Sequence, residues 1–147
     1  MKNKDNLDER QLQIRGNIFK HGIILFVVFL LLDMLLKDFG IMLATGIQTN
    51  LLIINVVVML VILEFIYHEI FPIGQKYYFA LYILFGVLGF MLFAMCMFHF
   101  INGELFLINN TLSDNGAHLV SSITYIIIFM GFAVRQIYNK SYKAEEE

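Results

Sequence analysis

The chain has 147 residues, of which 59% are hydrophobic and 15% are charged, against roughly 45–50% and about 25% in an average soluble domain. A chain of this length forms a single domain, whose interior is too small to hide so much apolar surface from water, and this indicates an integral membrane protein. The formal net charge of −2 gives no basic face for direct nucleic-acid binding, and the single cysteine, Cys96, excludes both an intrachain disulfide and a multi-cysteine zinc site.

Polar segments flank the apolar part of the chain at both ends. Residues 1–17 are predicted to be cytosolic, and residues 6–17 resemble a short amphipathic helix with Asn6 as its cap and Glu9 as the capping-box partner. This helix could lie on the membrane or bind a protein, or it could simply extend the first span, which the sequence favours. Because the segment is long and polar, we expect no signal-peptide cleavage. Residues 139–147 are predicted to form a disordered cytosolic tail.

Four long apolar segments lie between these ends and predict four membrane-spanning helices. They cover residues 18–36, 51–70, 77–100 and 119–138, and together they define a transmembrane domain over residues 18–138. A helix rises about 1.5 Å per residue and the hydrocarbon core is about 30 Å thick, so each segment is long enough to cross it. The segments lack the period-two alternation of barrel strands. The sequence therefore predicts an all-α integral membrane protein with a four-transmembrane-helix bundle.

The distribution of positive charges predicts the orientation of these spans. If both termini lie on one side of the membrane, that side holds every Lys and Arg of the chain except Lys37. The positive-inside rule then makes both termini cytoplasmic. The tyrosines agree with this orientation, because all of them except Tyr125 lie at or near the predicted inner interface.

The longest external connection of this topology is the loop over residues 101–117. It carries Glu104 and Asp114 but neither Lys nor Arg. Its apolar stretch, residues 105–108, could dip into the membrane interface.

Ionisable side chains form an inner polar cluster near the cytoplasmic ends of the predicted helices. Its members are Glu64, His68, Glu69, His21 and Arg135. Charged groups in lipid are costly, so each is expected to have a partner or a function. One hypothesis makes Glu64 and His68, one helical turn apart, a proton-responsive pair. The sequence favours a second one, in which Glu64 and Arg135 form an ion pair between the second and fourth helices.

An outer polar cluster lies near the opposite ends of the helices. Its members are Asp33, Asn55, His99, His118, Ser121, Ser122 and Thr124. They could line a small pocket open to the outside, and Asp33, His99 and His118 are of the types that bind metal ions. Their spacing matches no metal-binding motif, however, so we expect no metal and no cofactor. Hydrogen bonds that join helices in a polar belt are the favoured interpretation.

Catalytic motifs are absent from the sequence. It contains no His-Glu-x-x-His sequence, no Gly-x-Ser-x-Gly elbow and no phosphate-binding glycine loop. The chain is therefore expected not to be an enzyme.

The stretch over residues 8–16, Asp-Glu-Arg-Gln-Leu-Gln-Ile-Arg-Gly, leads directly into the first span. It resembles a group of small bacterial multi-span membrane proteins of uncharacterised function that share an N-terminal Asp-Glu-Arg-Gln signature. Some members are encoded beside genes for small helix-turn-helix regulators. The resemblance implies a bacterial plasma membrane and a cytosolic regulatory protein as partner, and it assigns no active-site residues.

Two functions of different classes follow from these observations. The first is a non-enzymatic membrane interaction protein, sensing or regulatory, that binds a cytosolic partner or, in the manner of an immunity protein, a secreted external peptide through the loop at residues 101–117. The alternative is a small proton-coupled transporter or channel that uses Glu64 and His68. Four helices enclose little space, so this alternative requires a homo-oligomer within the lipid bilayer.

Overall fold

A computed structural model describes residues 8–44, 46–70 and 78–145 of the chain. The helices are α1 (Glu9–Asp38), α2 (Gln48–His68), α3 (Tyr78–Ile101) and α4 (Asp114–Glu145), and a hairpin of strands β1 (Leu107–Ile108) and β2 (Thr111–Leu112) lies between α3 and α4. Each of the four helices is long and apolar enough to cross a membrane. The predicted all-helical architecture with four candidate spans is thus confirmed.

Helix α1 runs without interruption from the polar N-terminal segment through the first apolar segment. Asp8 stands before its first turn, and the backbone N–H of Asp8 donates to Gln11 Oε1 at 3.1 Å. The helix has 30 residues and is therefore about 45 Å long, against about 30 Å for a hydrocarbon core. From residue 9 onward, the predicted short helix is thus an extension of the first span. Asn6, its predicted cap, lies outside the described residues.

Helices α2, α3 and α4 share one core. Ile66 of α2, Tyr82 of α3 and two residues of α4, Ile128 and Phe132, are buried together. The rings of Tyr82 and Phe132 are stacked, with centroids 4.4 Å apart and planes inclined by 18°. Helix α4 packs along both α3 and α2 and so holds this core together.

Helix α1 lies outside this core and packs against α2. Ile18 is buried with Phe65 and Ile70, and Gly22 faces Val61 so closely that a Cβ on Gly22 would lie 2.6 Å from Val61 Cγ2. Asp33 is the other buried residue of α1. Apart from these positions the helix exposes apolar side chains, a surface that suits lipid as the surrounding solvent. The predicted four-helix bundle is a three-helix core with a peripheral first helix.

Helix α4 is longer at both ends than the predicted fourth span. It begins at Asp114 because Ser113 Oγ accepts a hydrogen bond from Gly116 N at 3.1 Å, which satisfies a free N–H of the first turn. It ends at Glu145, so the disorder predicted for the tail is wrong for residues 139–145, which contain no Gly or Pro to end a helix. The rest of the predicted tail, residues 146–147, lies outside the described residues.

Candidate functional site

The helix ends divide the molecule into two ends, which we name by the segments they carry. The terminal end holds the start of α1 and the ends of α2 and α4, and it is the predicted cytoplasmic side. The loop end holds the α1–α2 connection and the hairpin between α3 and α4, and it is the predicted external side. The inner polar cluster lies at the terminal end, and the outer polar cluster lies towards the loop end.

Glu64 of the inner polar cluster pairs with a residue of the first helix. His21 Nδ1 lies 2.8 Å from Glu64 Oε1, and the Glu64 side chain is 26% exposed. His68 is exposed, and its ring stands edge-on to that of Tyr67 at 5.1 Å. Glu64 and His68 lie on one helix as predicted, but the hydrogen bond of Glu64 runs to α1. The titratable pair that the structure brings together is Glu64 with His21.

Arg135 of the same cluster pairs with Glu69. Its Nη2 and Nε lie 2.9 and 3.1 Å from Glu69 Oε1, and Asn139 Nδ2 donates to the same oxygen at 2.7 Å. The predicted Glu64–Arg135 ion pair is therefore wrong. Leu63 faces Gly131 of α4, whereas Glu64, about 100° further around α2, faces α1. The ion pair that joins this part of the chain to α4 is instead made by Glu69, the residue that follows the end of α2.

Part of the outer polar cluster forms hydrogen bonds between α2 and α4. Asn55 Nδ2 donates to Ser121 Oγ at 2.8 Å, and Tyr125 Oη donates to Asn55 Oδ1 at 3.4 Å. Ser122 and Thr124 instead donate to carbonyl oxygens of their own helix, at 2.8 and 2.7 Å. Tyr125 was not predicted as a member, although its position four residues after Ser121 places both on one helix face. The belt therefore consists of Asn55, Ser121 and Tyr125.

The three residues of the outer polar cluster whose side chains could bind a metal ion lie apart from one another. Asp33 is buried and pairs with Lys37, whose Nζ lies 2.6 Å from Asp33 Oδ2. His99 Nδ1 lies 3.0 Å from Glu104 Oε1, and His118 is half-buried on α4. Across the described ranges, no three His, Cys, Asp or Glu side chains are grouped so that they could hold a metal ion. The members of the outer polar cluster are thus distributed over several separate arrangements and do not line one pocket.

The two connections at the loop end fold into a single cap. Asn109 and Asn110, both with positive φ (50° and 63°), form the two-residue turn between β1 and β2, as in hairpins with a type I′ turn. On the other side of β2, Leu112 N donates to Leu43 O at 2.9 Å, and Ala44 forms a parallel bridge with Leu112. The α1–α2 connection is thereby joined to the hairpin, an arrangement that the sequence analysis did not predict.

Buried contacts fix this cap to the helices. Ala44 is buried with Leu52 of α2 and Ala117 of α4, and Thr49 Oγ1 donates to Ala44 O at 2.9 Å. On the α3 side, the ring of Phe106 stacks on that of Phe100, with centroids 4.9 Å apart. The cap is therefore held by packing and hydrogen bonds to α2, α3 and α4.

The outward surface of the cap is apolar and acidic. Exposed apolar side chains come from both connections: Phe39, Ile41, Met42, Leu43, Ile47, Ile101, Leu105, Leu107 and Ile108. A cleft of about 400 Å³ lies beside the hairpin and is lined by Leu105, Ile108, Glu104 and Asp114, among others. We call this surface the cap surface. It is the candidate functional site, because its exposed apolar side chains stand on a backbone that is held in place by contacts with the helices.

No family model, curated protein or solved structure matches the chain. The resemblance of residues 8–16 to small bacterial membrane proteins therefore stays a prediction. The assignment of the candidate site rests on the geometry of the loop end and on the charges around it.

Proposed function

We propose that the protein is a non-enzymatic membrane interaction protein that binds an external peptide through the cap surface, as an immunity protein does. The supporting observation is the cap itself, in which Leu105, Leu107 and Ile108 are exposed beside or on a hairpin that packs against α2, α3 and α4. Apolar patches on a water-exposed protein surface commonly mark interaction sites. A fixed surface also loses little conformational entropy when a partner binds.

The proposal places the cap surface outside the cell. In this arrangement the four candidate spans cross a bacterial plasma membrane. Both termini are cytoplasmic, because the terminal end carries nearly all the positive charge. A peptide secreted into the medium would then reach the cap surface without crossing the bilayer.

A cytosolic regulatory partner is the second form of the same proposal. The first turns of α1 carry Glu9, Arg10 and Arg15 and extend the helix beyond the length needed to span. An exposed helical extension with charges of both signs can present a docking face to a soluble protein. A partner bound at the terminal end would make the protein a membrane anchor or sensor for a regulator.

Site-specific photo-cross-linking distinguishes the two forms. A photoreactive amino acid is placed at Leu107 of the cap surface, at Leu12 in the exposed extension of α1, or at Val28, an exposed mid-helix position of α1 that serves as control. Adducts formed in the native host are identified by mass spectrometry. A stoichiometric secreted peptide on Leu107 alone supports the external form, whereas a soluble protein on Leu12 alone supports the cytosolic form. Adducts limited to lipid at all three positions contradict both.

Proton-coupled transport is the alternative function, and the His21–Glu64 contact is the observation that favours it. This titratable pair joins α1 to α2 with His21 Nδ1 2.8 Å from Glu64 Oε1, and a change in its protonation would alter the contact between the two helices. Purified protein in liposomes, as a homo-oligomer, should then show proton flux that Glu64→Gln abolishes and the loop-end control Glu104→Gln leaves unchanged. Flux no greater than in empty liposomes would exclude transport.

A further inference from the structure

Strand β1 forms the outer edge of the hairpin, and the hydrogen bonds around it determine which backbone groups point outward. Ser113 N donates to Phe106 O at 3.1 Å, so these two residues form a hydrogen-bonded pair. Hydrogen-bonded and non-hydrogen-bonded pairs alternate along an antiparallel ladder. The next pair, Leu107 with Leu112, is therefore non-hydrogen-bonded. The N–H and C=O of Leu107 consequently point away from β2, and within the described residues neither has a hydrogen-bond partner.

The opposite edge of the hairpin is already occupied by another extended segment. The N–H of Leu112 points away from β1 and donates to Leu43 O, and Ala44 forms the parallel bridge on that side. The hairpin thus accepts a neighbouring strand at its β2 edge. Leu107 presents the equivalent pair of groups at the β1 edge, and an open edge of this kind can accept an extended peptide as an added strand.

The side chains along β1 determine which peptide fits. Leu105, Leu107 and Ile108 are 61%, 59% and 53% exposed, and because consecutive side chains of a strand alternate, Leu107 and Ile108 place apolar groups on both faces of the hairpin. The cleft beside them is lined by Glu104 and Asp114 as well as by Leu105 and Ile108. The Glu104 side chain is 56% exposed even though its Oε1 contacts His99. A complementary peptide therefore carries apolar side chains together with basic ones.

The charge of the loop end favours a cationic peptide over the lipid surface as the partner that covers β1. Asp38, Glu104 and Asp114 lie at this end, which has no arginine and one lysine, Lys37, which is paired with Asp33. A negative surface attracts a cationic partner and repels the anionic headgroups of a bacterial membrane. The bilayer is therefore disfavoured as the surface that covers β1.

We propose that β1 binds an extended, cationic and amphipathic peptide as an added strand. The backbone of Leu107 pairs with the peptide, and the basic side chains of the peptide lie against Glu104 and Asp114. This inference rests on the external form of the proposed function and assigns its partner to a chemical class.

A binding assay on the full-length protein tests strand addition. The protein is placed in nanodiscs of zwitterionic phosphatidylcholine, and empty nanodiscs measure binding to lipid alone. The probe is a short fluorescent peptide of alternating lysine and valine, and its matched control is N-methylated at every residue. Methylation keeps the charge but removes the backbone donors on both edges of the peptide. We expect saturable binding that depends on the protein and is about tenfold weaker for the methylated peptide, because backbone hydrogen bonds are lost.

Two sets of variants separate the backbone from the side chains. Leu107→Pro removes the outward N–H and keeps the ladder bonds of the hairpin, whereas Leu107→Ala keeps that N–H. We expect Leu107→Pro to weaken binding about tenfold and Leu107→Ala about threefold, since the alanine variant loses only side-chain contact. Glu104→Gln with Asp114→Asn should remove most of the salt dependence of binding, and Asp38→Asn, a carboxylate outside the cleft, should retain it. Circular dichroism during heating confirms that each variant is folded.

Each contrary result identifies what has failed. Equal binding of the two peptides, or equal loss for Leu107→Pro and Leu107→Ala, overturns strand addition but leaves an external partner at the cap surface. Binding no greater than to empty nanodiscs overturns the assigned peptide class, and the cross-linking at Leu107 then decides the proposed function separately. An environment-sensitive dye on Leu107→Cys, in a Cys96→Ala background, should report water before peptide is added. A report of lipid there would overturn the proposal in favour of an interfacial hairpin.

Discussion

Replacement of Lys37 by Met should destabilise the protein strongly through its effect on Asp33. The two residues lie one turn apart on α1, with Lys37 Nζ 2.6 Å from Asp33 Oδ2. The Asp33 side chain is only 7% exposed. Its other oxygen, Oδ1, has no hydrogen-bond partner among the described residues. Without the ammonium group, a buried carboxylate would be left with neither of its oxygens paired.

The structure sets the expected size of this effect. Removal of one partner from a buried ion pair costs about 3–5 kcal/mol, because the remaining charge stays buried. Lys37 is 43% exposed, so water reaches part of the pair and the lower end of the range, about 3 kcal/mol, is expected. The double variant Asp33→Leu, Lys37→Met removes the charge and the unpaired oxygen together. Its free energy of unfolding should lie within about 1 kcal/mol of that of the unaltered protein.

A double-mutant cycle measures these differences. The unaltered protein, the two single variants and the double variant are unfolded in detergent by added dodecyl sulfate and followed by circular dichroism. Lys20→Met, at an exposed position of the same helix, is the surface control and should change the free energy of unfolding by less than about 0.5 kcal/mol. If Lys37→Met were no more destabilising than Lys20→Met, the burial of an uncompensated charge at Asp33 would be refuted.

Three further substitutions test the packing and the cap by the same unfolding measurement. Gly89→Leu should lower the free energy of unfolding by about 1–3 kcal/mol, because a Cβ there would lie 2.9 Å from Ile126 Cγ1. Gly16→Leu, with no atom within 4 Å of its Cβ, is the control and should change it little. Equal effects of the two would contradict close approach of α3 and α4. Asn55→Leu should cost about 0.6–1.7 kcal/mol by removing its hydrogen bonds to Ser121 and Tyr125, and no change would show that the belt contributes nothing. Asn110→Val should cost about 1–2 kcal/mol because φ is positive there, whereas Asn110→Gly should be tolerated; a tolerated valine would argue against the hairpin turn.

The spans could be predicted from the sequence, but their ends could not. Residues 51–63 contain one polar residue, Asn55, and are otherwise apolar on every face of a helix, and only lipid or a large core suits such a segment. Hydropathy gives no information about polar turns that continue a helix. The start of α4 at Asp114 depends on the cap made by Ser113, and its last turns depend on helix propensity in a polar segment. Both lie outside the apolar stretch on which the prediction was based.

The depth of the polar residues was predictable, whereas their partners were not. Counting along a helix at about 1.5 Å per residue places Glu64, Glu69, His21 and Arg135 at similar levels. It does not tell which helices are neighbours. The close approach of Gly22 to Val61 places α1 beside α2, and Glu64 therefore meets His21 rather than Arg135. The cap was missed for a related reason, since its pairing of Leu43 with Leu112 joins segments far apart in the chain.

Helix α1 lies outside the core and is held to the rest of the molecule at both of its ends. Lipid supplies no hydrophobic force that would press one apolar helix against another, so α1 must be held by close packing and polar contacts. Towards the terminal end, its contacts with α2 include the burial of Ile18, the approach of Gly22 to Val61 and the His21–Glu64 pair. Towards the loop end, α1 continues into the connection that pairs with β2 through Leu43. A peptide bound at β1 would therefore contact the same hairpin that holds the loop end of α1. Under the proposed function, a partner at β1 would thus be connected to α1 through the hydrogen bond between Leu112 and Leu43.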